Sequence, residues 1–172
     1  MNARPLRMIV WNVRGLNAPA RRNVVFQVVN SAGPTIVCLQ ETKLQDVSVT
    51  IVHQCLGAKY ENFFYLPAMG TRGGILVAWD ATITQLSNPH YTDHTLTTLV
   101  MCPEDERPWW LTCVYGPQDK ADKVDFLQDL VDIRDLHARP LLVAGDFNLI
   151  AREEEKSNAL INRMMMGRFR AK

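Results

Sequence analysis

The chain has 172 residues and a formal charge of +1, from 19 Lys and Arg against 18 Asp and Glu, with 47% hydrophobic and 22% charged residues. That balance excludes disorder as the main state, and the length suits one domain with a core that needs no covalent staples. No apolar run approaches the ~18 residues of a membrane span. Met1–Arg7 carries basic residues without the apolar stretch of a secretory leader, so an intracellular protein with no membrane partner is expected.

In chain order, short apolar runs rich in Val, Ile, Leu and Thr predict buried strands over Leu6–Val13, Thr35–Leu39, Gly73–Trp79, Thr95–Cys102, Trp109–Tyr115 and Leu141–Ala144. Weaker strand signals lie at Phe63–Leu66 and Thr82–Leu86. Between the first two strands, Val25, Val28 and Val29 recur at helical spacing in Arg21–Asn30, and Pro19 suits a first helical turn. Asp46–Leu56 is a further helix candidate.

In Ala121–Leu136, Val124, Leu127 and Val131 form one stripe and Phe126, Leu130 and Ile133 the next, the pattern of an amphipathic surface helix. Asp122, Asp125, Asp129 and Asp132 line another face and read as solvated, because one helix cannot fold four of its own carboxylates around an ion. Strands interleaved with helices near both ends, with several strands between, predict a mixed α/β fold in layers.

Cys38, Cys55, Cys102 and Cys113 show no C-x-x-C spacing and no neighbouring histidine, so buried free thiols in a reducing compartment are expected. Charge is uneven: residues 1–40 hold five arginines and no acid, residues 41–150 eight basic against fifteen acidic groups, and residues 151–172 six against three. On charge alone these are solvated faces; the alternative is phosphate-attracting arginines beside an acidic, metal-holding centre. Trp109 and Trp110 adjoin a strand start, where a core or interface role is expected before base stacking.

Four of the predicted strands end in a polar residue able to hold a hard cation or a phosphate. If these ends share one side of adjacent sheets, Asn12, Glu41, Tyr115, Asp146 and Asn148 converge. Carboxylate and amide oxygens without a His/Cys set suit Mg²⁺ or Mn²⁺ rather than zinc, and such ions serve phosphodiester hydrolysis. Thr71-Arg72-Gly73-Gly74 lacks the lysine of a nucleotide-cradling loop, and no G-x-S-x-G or H-E-x-x-H occurs.

In order along the chain stand Trp11-Asn12-Val13-Arg14-Gly15-Leu16-Asn17, Leu39-Gln40-Glu41-Thr42-Lys43, Gly73-Gly74-Ile75-Leu76-Val77, Val114-Tyr115-Gly116-Pro117-Gln118 and Gly145-Asp146-Phe147-Asn148. Together they resemble the endonuclease/exonuclease/phosphatase superfamily, and within it the apurinic-type endonuclease domain of LINE-type (non-LTR) retrotransposons, particularly plant ones. Glu154-Glu155-Lys156-Ser157-Asn158 and Met166-Gly167-Arg168-Phe169-Arg170 extend that likeness. It implies a four-layer α/β sandwich, two mixed sheets flanked by helices, incomplete at the C-terminus. Residues 1–150 would be the N-terminal part of the domain and residues 151–172 its basic C-terminal segment.

The resemblance further implies that Glu41 ligates the divalent metal and that Asn12 supports the metal site. Tyr115 would contact the scissile phosphate, Asp146 position or deprotonate the attacking water, and Asn148 help orient water and phosphate. Gln118 falls at a phosphate-contacting amide, and Arg72 and Arg14 are candidate contacts to the DNA backbone. DNA is the implied partner, acted on by a monomer in the nucleus if the substrate is genomic.

Two departures stand out. Asn12-Val13-Arg14-Gly15 carries Arg14 where the apurinic enzymes have an aspartate. The family's later aspartate and its Asp-His pair have no counterpart, since His53, His90, His94 and His137 all precede Asp146 and are expected in surface or capping roles. A fragment with little or no nicking activity is therefore expected. The alternatives are a non-catalytic remnant binding nucleic acid weakly through Arg14, Arg21, Arg22, Lys43 and Arg72, and a phosphatase-type member of the superfamily.

Overall fold

A computed structural model describes residues 6–103, 105–155 and 162–171. The predicted positions Arg4, Lys156, Ser157 and Asn158 lie outside the described residues. The chain opens with β1 (Met8–Asn12), α1 (Pro19–Ala32) and β2 (Ile36–Gln40), in which the two strands run parallel. It continues through α2 (Val49–Leu56), β3 (Asn62–Leu66), β4 (Ile75–Trp79), β5 (Gln85–Tyr91), β6 (Thr95–Cys102) and β7 (Asp105–Tyr115). A second strand–helix–strand unit follows, in which α3 (Asp122–Leu136) joins β7 to the parallel β8 (Leu141–Asp146). A short 3₁₀ turn at Glu153–Glu155 and α4 (Arg163–Arg170) close the described chain.

The strands form two four-stranded mixed sheets, in the orders β1-β2-β4-β3 and β5-β6-β7-β8. Each contains one parallel pair, β1/β2 or β7/β8, extended by two antiparallel strands. The sheets stack so that β1 lies over β8 and β2 over β7 and β8. Ile36, Cys38, Ile75, Val77 and Trp79 meet Leu86, Leu96, Val100, Leu111 and Cys113 between them.

Alternation along the strands makes this layering work. In β2, Ile36 and Cys38 point to the other sheet while Val37 and Leu39 point to the helices, packing with Val25 and Val29 of α1 and Val52, Cys55 and Leu56 of α2. Both faces are covered, which explains why β2 and β4 read as continuous apolar runs. α3 meets the second sheet through Phe126, whose ring centroid lies 5.9 Å from that of His94, so helices flank both sheets of the sandwich.

Local signals set the helix boundaries. Pro19 occupies the first turn of α1, and Gly33 ends it in the left-handed region at φ 55°. α2 starts at Val49 rather than Asp46 because the Ser48 hydroxyl accepts the Ile51 N–H at 3.3 Å.

Several expectations need correction. Val28 is exposed, so only Val25 and Val29 of the predicted valine stripe are buried in α1. In α3 the buried residues are Phe126, Leu127 and Ile133, and Val124 is exposed. The strand expected at Thr82–Leu86 begins only at Gln85, since Thr82 is held in a turn by the Asp80 carboxylate. It then runs through Pro89, which β5 tolerates as an edge strand whose register shifts between Ser87 and His90. All four cysteines are free, but Cys102 is only half-buried.

Candidate active site

Because the two parallel pairs stack, the carboxyl ends of β1, β2, β7 and β8 reach one rim of the sandwich. The direct link across the sheets is a hydrogen bond from Asn12 Nδ2 to Asp146 Oδ2 at 2.8 Å, between residues 134 positions apart. The other carboxylate oxygen, Oδ1, accepts the backbone N–H of Asn148 at 3.0 Å. Asn12 Oδ1 accepts the Arg14 N–H at 3.1 Å, and Asn148 Nδ2 donates to the Gly116 carbonyl at 2.7 Å. The Lys123 ammonium of α3 in turn donates to the Asn148 carbonyl at 2.8 Å.

The backbone here is bent to fit. Arg14, Glu41 and Asn148 adopt φ of 52°, 54° and 50°, and Lys43 one of 56°, a left-handed conformation that non-glycine residues rarely adopt and that clusters at functional sites. Gly145, at φ 142°, brings its backbone so close to β7 that a Cβ would sit 2.1 Å from the Val114 carbonyl oxygen. The Gly145-Asp146 step is thereby pressed against the end of β7, where Tyr115 pairs with Asp146 in register.

Tyr115 ties this corner to Glu41. Burial pushes its phenol above the usual range; a hydrogen bond from Gln118 opposes the rise, while the charges of Glu41 and Asp146 reinforce it. Gln118 Nε2 lies 3.4 Å from the Tyr115 hydroxyl. Gly73 makes room for the ring: a Cβ there would stand 2.6 Å from Tyr115 Cε1 and 3.0 Å from Glu41 Cγ. A cavity of about 720 Å³ opens over these groups, with Glu41, Lys43, Arg72, His94, Tyr115 and Gln118 in its wall.

The predicted convergence of Asn12, Glu41, Tyr115, Asp146 and Asn148 is thus the arrangement observed, with Gln118 beside them. The arginines behave differently. Arg14 contributes its backbone N–H while its side chain is exposed and outside the cavity wall. Arg72 lines the cavity, but its guanidinium is ion-paired with Asp93 and lies 3.7 Å from Met69 Sδ. Arg22 donates to the Leu16 and Asn17 carbonyls, tying the loop after β1, so its guanidinium serves that loop. The Trp110 ring is covered by His137, stacked at 3.8 Å between centroids.

Two features were not foreseen. His94, expected to be a surface or capping residue, stands in the cavity wall with its Nδ1 3.1 Å from the Tyr115 carbonyl oxygen. Only the pairing of β6 with β7 brings it there, so no linear signal marks it. Asp129, expected on a solvated face, is partly buried against Thr92 and His94, and burial pushes its carboxyl above the ordinary value.

The donor set fits a hard divalent cation. Glu41 and Asn12 supply carboxylate and amide oxygens, and Glu41 already faces a cation, the Lys43 ammonium, at 3.2 Å. Among the described residues no group of three or more His, Cys, Asp or Glu side chains gathers around one point.

Two stacked mixed sheets, with an asparagine, a glutamate, a tyrosine and an aspartate meeting at one rim, place the chain in the α/β sandwich class. Residues 9–169 match the Endonuclease/Exonuclease/phosphatase family, and the chain belongs to it. It is 25% identical over 170 residues to an exodeoxyribonuclease of Bacillus subtilis (strain 168), covering 94% of this chain and 66% of that protein. The AP endonuclease LMAP from Leishmania major superposes with a TM-score of 0.70 at 19% identity, over 96% of this chain and 65% of that one. The catalytic domain of human Nocturnin, solved with a bound sulfate anion, gives a TM-score of 0.63 at 21% identity, over 87% of this chain and 66% of that one. The chain thus spans just under two thirds of the length of these relatives. No helix among the described residues is long and apolar enough to cross a membrane.

Proposed function

We propose that this chain supports divalent-cation-dependent hydrolysis of DNA phosphodiesters, as the endonuclease part of a retroelement. The observation that carries the reading is the Asn12–Asp146 hydrogen bond, which fixes a carboxylate of the second sheet against the end of β1 in the first. The exodeoxyribonuclease and AP endonuclease among the relatives favour DNA as substrate. The strings around Trp11, Arg72 and Met166 favour the retroelement origin.

Glu41, with Asn12, would hold Mg²⁺ or Mn²⁺, which when bound offsets negative charge on the phosphate. Asp146, with one oxygen on Asn12 and the other on the Asn148 N–H, is held to orient an attacking water and take its proton. Tyr115 and Gln118 offer donors to the phosphate oxygens from the cavity wall. Asn148 acts mainly through its backbone N–H, since its side-chain amide is committed to Gly116.

The test is nicking of supercoiled plasmid with Mg²⁺ or Mn²⁺, beside hydrolysis of a soluble phosphoinositide. EDTA-sensitive nicking is expected, lowered on the order of 10²–10⁴-fold in Asp146→Ala. Nicking untouched by that substitution, or faster hydrolysis of the phosphoinositide, would overturn the proposal. Salt-sensitive binding of duplex DNA without cleavage would leave a nucleic-acid-binding remnant.

A further inference from the structure

The β5–β6 turn, Thr92-Asp93-His94, lies outside every motif that pointed to the site, yet it is bonded to three different elements. Asp93 ion-pairs with Arg72 of the β3–β4 loop, and Thr92 meets Asp129 of α3. His94 engages both backbone polar groups of Tyr115: the Tyr115 N–H donates to the His94 carbonyl at 3.0 Å, and His94 Nδ1 lies 3.1 Å from the Tyr115 carbonyl oxygen.

We propose that His94 is a positioning residue, which fixes the backbone of Tyr115 so that the phenol stands over Gly73 beside Glu41 and Gln118. The inference rests on the hydrolase reading for the reaction concerned, though not for the geometry. Tyr115 is the last residue of β7; Gly116 after it is tied toward β8 by its N–H to the Asp146 carbonyl at 2.8 Å and by Asn148, whereas the backbone polar groups of Tyr115 itself face His94. With both of its backbone polar groups bonded to one residue, its Cα is set, and contact with Gly73 leaves the ring little freedom.

The imidazole itself is held from behind. Phe126 meets it edge-on, with ring centroids 5.9 Å apart and planes at 76°. The His94 backbone N–H donates to Thr92 Oγ1 at 3.3 Å, and Thr92 is closed onto Thr95 by a backbone bond and a hydroxyl pair, each at 3.1 Å. His94 shares the wall of a cavity of about 320 Å³ with Asp122, Asp125 and Asp129 of α3, Asp93 and Arg72.

A carbonyl oxygen only accepts, so the bond to Tyr115 requires the proton on Nδ1. The neutral ring is therefore the Nδ1–H tautomer, with Nε2 as the bare nitrogen. An asparagine at this position places an amide N–H near the site of Nδ1, whereas a glutamine places it near Nε2. The geometry accordingly distinguishes two substitutions of similar polarity.

The test combines NMR with kinetics on the full chain. Long-range ¹H–¹⁵N correlation should find neutral His94 protonated at Nδ1, and an NOE should join the Tyr115 Hε protons to the Gly73 Hα protons. That NOE should weaken in His94→Ala and His94→Gln and persist in His94→Asn. Nicking should fall about 10–100-fold in His94→Ala, recover most of the loss in His94→Asn, and show no further loss when His94→Ala is combined with Tyr115→Phe. An Nε2–H tautomer, an NOE unchanged in His94→Ala, or additive losses in the double variant would overturn the proposal. If the wild-type chain nicks nothing, the hydrolase reading falls alone, and the tautomer and the NOE still decide the role of His94.

Discussion

On its helix side the β1–β4 sheet presents Val37, Leu39, Leu76 and Ala78, packed on α1 and α2. The second sheet turns Thr95, Thr97 and Thr112 away from the inter-sheet core, on the side of α3. All three threonines are buried, and Thr97 and Thr112 join their hydroxyls across the strands at 2.8 Å. One outer layer is thus held by apolar area, the other by cross-strand hydrogen bonds under a helix that buries three side chains. Glu41 and Asn12 stand on the first sheet, whereas Tyr115 and Asp146 stand on the second, so the proposed metal-holding end is more firmly built than the proton-handling end.

That contrast can be broken experimentally. Leu39→Ala should cost about 2–5 kcal/mol, the largest effect, seen as a fall in the denaturant midpoint; a loss under 1 kcal/mol would erase the distinction between the layers. Gly145→Ala should cost about 1–3 kcal/mol through its positive φ alone, and the new Cβ, set 2.1 Å from the Val114 carbonyl oxygen, should push β8 off β7 and displace Asp146, so nicking should fall by more than stability does.

Thr97→Val should cost about 1–3 kcal/mol, because it orphans the Thr112 hydroxyl, whereas Thr97→Val with Thr112→Val should restore most of that loss. The smallest effect belongs to Asp129. Its carboxyl titrates above the ordinary value in the folded chain, so the folded state holds more protons and stability falls as pH rises through that window. Asp129→Asn should therefore raise the melting temperature at neutral pH and give no gain below the ordinary carboxylate range.

The sequence made the first sheet easier to read than the second for the same reason. β2 and β4 are covered on both faces, so their strings are apolar throughout. β5 is an edge strand broken by Asn88 and Pro89, and its irregular pairing removes the alternation that would have marked it. Of the candidate site, Asn12, Glu41, Tyr115, Asp146 and Asn148 were legible because each follows an apolar run. Gly73 was legible as a turn, but its closeness to the Tyr115 ring is a contact between sheets that no local pattern encodes. Similarly, whether Arg72 is free for a phosphate depends on Asp93, twenty-one positions away.

The four thiols are distributed so that the sandwich carries its own reporters of opening. Cys102 is half-buried, Cys55 lies under the helix layer, and Cys38 and Cys113 lie between the sheets, where Gln40 donates to the Cys113 sulfur at 3.1 Å. Burial pushes the Cys55 thiol up to about 11, and a hydrogen bond with Cys113, then burial, holds the Cys38 thiol well above its ordinary value. Since the thiolate is the reacting form, an alkylating reagent should reach Cys102 in the closed molecule and the other three only as their layers part. The order in which mass is added to Cys55 and to the Cys38–Cys113 pair then tells whether the helices lift before the sheets separate.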